Sequence, residues 1–179
     1  MSFHTALAAT AAALLALSLA APASAHVTLA KSQAQVGARY QAVLRVPHGC
    51  QGSATIGLQV QIPEGFIGVK PQPKPGWTIE VVRGDYIQPH SLFGNSVASG
   101  VREIRWSGGP LLDEHYDEFV FVGYASGELT PGGVLYFPVV QECEQGVSRW
   151  IDRPTPGSPP AKDHSDAPAP ALKLLPRQP

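Results

Sequence analysis

Methionine is almost missing from this chain: the one residue of its type is Met1, at the head of an apolar leader. A thioether site for Cu(I) is therefore excluded for whatever follows that leader. Cysteine is scarce as well, with Cys50 and Cys143 alone and no C-x-x-C pair. The net charge is −1, so bulk charge attracts neither nucleic acid nor an anionic membrane surface. Beyond the leader no apolar run is long enough to span a bilayer, and no membrane anchor is expected. Helical periodicity is lacking too, since no later stretch sustains it for more than two turns.

What is present begins with the leader itself. Residues Ala6 to Ala21 are nearly all Ala and Leu, and Ala23-Ser24-Ala25 is an A-x-A-like cleavage site. The n-region, Met1 to Thr5, has no Lys or Arg, which weakens the orientation signal. We therefore read 1–25 as a signal peptide and expect a periplasmic or secreted protein. Cleavage after Ala25 would make His26 the first residue. Its α-amino group and imidazole Nδ1 can then close on one ion as a chelate, a nitrogen pair of the kind copper favours. The plain alternative is that His26 is merely the residue next in line. With no methionine left, copper chemistry here would use nitrogen and oxygen donors, which points to Cu(II).

From Val27 to Ile151 the chain reads as short β segments broken by Gly and Pro. Ala38–Val46, Ala54–Ile62, Trp77–Arg83, Val101–Trp106, Phe119–Tyr124, Val134–Val140 and Val147–Ile151 carry β-branched and aromatic residues, several with period-2 alternation. Turn clusters such as Pro47-His48-Gly49, Pro63-Glu64-Gly65 and Thr130-Pro131-Gly132-Gly133 separate them. Gln88–Gly100, polar and rich in Gly and Ser, reads as a loop. The expected fold is an all-β sandwich over 26–151, of about seven to nine strands, immunoglobulin-like or cupredoxin-like. Residues 152–179 hold eight prolines and read as an extended, proline-rich tail in which only Ala171–Leu175 can pack or pair.

In an oxidising compartment the lone pair Cys50 and Cys143 reads as a disulfide; the competing reading is a pair of thiolates for Cu(I). A bridge across their separation of 93 residues would stabilise the fold by about 4–5 kcal/mol in the chain-entropy picture. Among acidic residues, Asp113, Glu114 and Asp117 read as a solvated loop, whereas Glu118 abuts the strand that starts at Phe119 and could give Cu(II) an oxygen. Trp150 reads as core, or as a lid over a metal. His48, His90 and His115 read as surface residues of a turn and two loops.

Six segments carry a resemblance: His26-Val27-Thr28-Leu29, Pro63-Glu64-Gly65-Phe66, Pro73-x-Pro75-Gly76-Trp77, Ile104-x-Trp106-x-Gly108-Gly109, Asp117-Glu118-Phe119-x-Phe121 and Val147-x-Arg149-Trp150. In order and approximate spacing the chain resembles the YcnI-like family of exported copper-binding proteins. The resemblance implies a β-sandwich that holds one Cu(II) in a monohistidine brace, with amine and imidazole from His26, a carboxylate from Glu118 and Trp150 beside the metal. It also implies a disulfide between Cys50 and Cys143, since Val140–Gly146 resembles the form found in Gram-negative bacteria. The proline-rich tail departs from members that end in a membrane helix.

These features lead us to expect a non-enzymatic Cu(II) protein of copper trafficking or homeostasis, a metallochaperone that passes its ion to another periplasmic copper protein. A weak homodimer with copper at a shared face is compatible with that expectation. Two rivals come from other classes. One is a copper mono-oxygenase whose second brace histidine is His90 or His115; the other is a metal-free interaction module.

Overall fold

Alternating apolar and polar side chains on extended backbone give each strand an inner and an outer face, and here that alternation builds the domain. The computed structural model describes residues 26–154 and 167–177; the expected signal peptide and the rest of the tail lie outside the described residues. In chain order the strands are β1 (Thr28–Leu29), β2 (Gln33–Gln35), β3 (Arg39–Val46), β4 (Thr55–Gln61), β5 (Phe66–Pro71) and β6 (Trp77–Leu92). There follow β7 (Asn95–Leu111), β8 (Asp117–Ala125), β9 (Val134–Tyr136), β10 (Val139–Cys143), β11 (Val147–Trp150) and β12 (Ala171–Leu175). No helix occurs among the described residues.

Two larger sheets form the sandwich, in the orders β1-β3-β8-β5 and β11-β10-β4-β7-β6. Tyr40, Ala42, Leu44 and Val46 of β3 turn inward, as do Phe119, Phe121 and Ala125 of β8. From the opposite sheet Leu58, Val60, Ile104, Trp106 and Val139 meet them. Phe119 stands edge-on to Trp106 at 5.5 Å and to Trp77 at 4.9 Å, joining the two layers. Each such fully buried aromatic contributes about 1.5–3 kcal/mol through the water it sheds.

The long run expected at Val134–Val140 is broken. Pro138 has no N–H to give a ladder, so β9 ends before it and β10 begins after it, in a different sheet. Gln88–Gly100, expected as a loop, is the outer half of an antiparallel β6–β7 arm. Phe93 and Gly94 turn it with φ of 52° and 80°, the left-handed pair of a two-residue hairpin loop. Strand β5 was not anticipated; Gly68 at φ 63° and a register shift between Ile67 and Lys70 hide its alternation.

Past Ile151 the chain returns to the domain. Ala169 donates its N–H to the Asp152 carbonyl, and β12 pairs in parallel with β2 and antiparallel with β9. Leu172 and Leu174, at alternate positions, are buried in the core. Ala171–Leu175, the one tail segment able to pair, thus supplies the central strand of a third sheet, β2-β12-β9.

Candidate metal centre

Val27 and Leu29 anchor the start of the described chain by turning into the core, and Thr28 faces outward opposite Arg45 of β3. His26 precedes this anchor, partly exposed, with its ring edge-on to the indole of Trp150 at 5.3 Å between centroids. His26 opens onto a groove of about 300 Å³, with Val27 to Leu29 on one wall and Pro168 to Ala171 of the tail on the other.

Trp150 ends β11, the edge strand opposite Val139 of β10, and packs against the core while keeping part of its surface outside. Its indole N–H donates to Gln141 Oε1 at 3.2 Å. Gln141 is buried, and its amide also donates to the His48 carbonyl at 2.8 Å and to Thr55 Oγ1 at 2.7 Å. Both of its amide hydrogens and its carbonyl oxygen are thus engaged in holding β11, β4 and the loop after β3 together. The Cys50–Cys143 disulfide, Cα to Cα 6.0 Å, fastens the same loop to the end of β10.

Glu118 lies in the other sheet, on β8. Thr28, Arg45 and Glu118 form one row across β1, β3 and β8, with Arg45 in the middle. Arg45 Nε binds Glu118 Oε1 at 2.8 Å, and Lys74 Nζ binds the Glu118 carbonyl at 3.1 Å. Asp117, expected in a solvated loop, opens β8; its Oδ1 accepts from Lys74 Nζ and from the Glu118 N–H, each at 2.7 Å. Two cations therefore already balance this acidic stretch.

His90, expected as a surface residue of a loop, is buried instead. Its Nδ1 meets Glu128 Oε2 at 2.6 Å and its Nε2 meets Glu64 Oε1 at 2.8 Å. Burial pulls the imidazole pKa down, but the hydrogen bonds to Glu128 and Glu64 outweigh it and hold the pKa above the ordinary histidine value. Glu64 is pushed up by burial yet ends below its ordinary value, through His90 and the Arg102 guanidinium at 2.7 Å. The cluster pins the β6–β7 arm to the loops after β4 and β8. It lies on β6, at the opposite edge of its sheet from Trp150. His115 is exposed in the turn before β8.

Among the described residues no three His, Cys, Asp or Glu side chains converge in a way that would hold an ion by themselves. A brace needs fewer side chains, because one residue gives both an amine and an imidazole.

Residues 26–174 match the sequence profile of DUF1775, a domain described as of unknown function. The chain belongs to the DUF1775 family. The YcnI-like proteins are DUF1775 proteins, so the resemblance seen in the sequence holds at the level of the family. The DUF1775 region runs from His26 to Leu174 and thus takes in most of β12. A crystal structure of an uncharacterized protein from Nocardia farcinica, reported to reveal an immunoglobulin-like fold, is similar to this DUF1775 chain with a TM-score of 0.59 and 23% identity. The likeness covers 84% of this chain and 98% of that one, and it establishes the all-β, immunoglobulin-like sandwich. No curated protein matches the chain.

Proposed function

We propose that the exported chain, cut after Ala25, binds one Cu(II) through the amine and imidazole of His26, with Trp150 as an apolar wall, and serves copper trafficking or homeostasis rather than catalysis. The observation that carries this reading is the edge-to-face seating of His26 on Trp150, itself held by Gln141, at the mouth of a groove. The donor chemistry fits: two nitrogens in a six-membered chelate suit Cu(II), and an indole wall limits access of water and small reductants. Once bound, the ion would supply a Lewis-acidic, one-electron centre. The protein's own part is to present a deprotonated amine and a fixed ring.

Glu118 is the carboxylate that the family resemblance puts forward, and as a ligand it would have to leave Arg45. The groove beside His26 suits handover of the ion to another exported copper protein. Mass spectrometry of the secreted form should give His26 as first residue. Cu(II) at a hundred times its dissociation constant should then stabilise the folded chain by about 2.7 kcal/mol. A melting temperature indifferent to Cu(II) would instead support a metal-free interaction module.

A further inference from the structure

β5 and β6 end their respective sheets, and both are irregular where they come together. β5 slips its register on β8 between Ile67 and Lys70, while β6 slips on β7 between Val82 and Arg83 and again between Asp85 and His90. Bulges of this kind re-aim side chains and gather beside functional sites. Here they border a groove of about 240 Å³ set between Lys70 of β5, Arg83 and Tyr86 of β6 and Ser99 of β7, with Val69 and Val101 as its buried apolar floor. Pockets for drug-sized ligands run from roughly 300 to 1,000 Å³, so an occupant here would be small. β6 and β11 are opposite edges of one sheet, and this groove is separate from the one beside His26.

The charge of the groove is one-sided. Lys70 and Arg83 are exposed and make no ion pair among the described residues, whereas Arg45, Lys74, Arg102 and Arg105 are each matched to a carboxylate. Asp85, the next charged residue along β6, lies outside the lining and pairs with neither cation. Tyr86 adds a donor that is already in place. It is only 7% exposed, and its ring meets His90 edge-on at 5.3 Å and the Arg102 guanidinium at 5.6 Å. The Gly68 N–H donates to the phenol oxygen, which leaves the phenol's own proton for another acceptor. Burial raises the Tyr86 pKa, so that proton stays on at neutral pH. A Cβ at Gly100 would run into this hydroxyl, and the glycine is what lets it stand there.

We propose that this groove binds a small organic carboxylate. The Arg83 fork and the Lys70 ammonium take the anion, the Tyr86 and Ser99 hydroxyls donate to it, and Val69 and Val101 receive its carbon chain.

The test titrates pentanoate into the ¹⁵N-labelled chain beginning at His26 and follows the amide resonances. Saturable shifts are expected at Gly68, Ser99 and Gly100, with a Kd of about 1 mM or tighter. Arg83→Gln should weaken binding at least about tenfold, and Lys70→Gln and Tyr86→Phe about fivefold each. The first two side chains are exposed and the third variant keeps its ring, so all three should melt close to the parent chain. Pentanol, which has the chain without the charge, and inorganic phosphate, which has the charge without the chain, should each bind at least about tenfold more weakly than pentanoate. Asp85→Asn should strengthen binding, because it removes a like charge from the neighbourhood of the anion. Pentanoate shifts that do not saturate, or that persist undiminished in Arg83→Gln, would overturn the site. Phosphate binding as tight as that of pentanoate would overturn the carboxylate assignment.

Discussion

The two edges of the five-stranded sheet use histidine in opposite ways. At the β6 edge His90 is buried with a carboxylate on each ring nitrogen, so it works as a fixed cation that clamps an arm. At the β11 edge the ring of His26 stands edge-on to Trp150, partly exposed at the mouth of a groove. The difference teaches that a histidine's chemistry is decided by what surrounds its ring. Exposure alone does not decide it.

The contrast can be broken most severely at the disulfide. Replacing both Cys50 and Cys143 by Ala should cost about 4 kcal/mol, or roughly 10 °C in melting temperature, and should weaken copper binding by loosening β10 and the Trp150 strand paired with it. Thermal unfolding with and without reductant, followed by copper titration, measures both. Gln141→Leu comes next. It strands the Trp150 N–H, the Thr55 hydroxyl and the His48 carbonyl, so denaturant unfolding should show a loss of about 1–3 kcal/mol. Both changes should leave the β6–β7 arm as well protected from hydrogen exchange as before.

At the other edge the sharpest probe is pH. The His90 pKa is raised on folding, so its contribution is complete below the ordinary histidine value and disappears as pH rises through the folded one. Glu64 and Glu128 are lowered, so theirs is present above the ordinary carboxylate value and fades as pH falls through the folded one. Amide protection of the arm should therefore be greatest at mildly acidic to neutral pH and fall on both sides, while His90→Ala should reduce it roughly tenfold and flatten the alkaline limb. Copper binding should follow a different curve. It should weaken below neutrality because a free α-amine, with an ordinary pKa of about 7.7–8.0, must lose its proton to bind.

Much of the sandwich is legible in local pattern. Ala38–Val46 and Phe119–Tyr124 alternate so regularly that β3 and β8 follow from side-chain direction alone. The β6–β7 arm was hidden because its turn is Phe93-Gly94, not an Asn-Gly or Asp-Gly pair, and because both of its faces are largely polar. The division at Pro138 could have been anticipated from the missing N–H. His26 and Trp150 are brought together across 124 positions of sequence by the packing of one sheet on the other, which local patterns do not specify. The acidic stretch before β8 was legible as charge, but its cations, Arg45 and Lys74, come from distant segments.

The central claim is that a histidine at the amino terminus holds the metal. The most direct measurement is a Cu(II) titration of two otherwise identical chains, one starting at His26 and one retaining Ala25 before it. We expect tight one-to-one binding by the first and its loss in the second, whose amine no longer belongs to the histidine. Equal affinity in both would contradict the account.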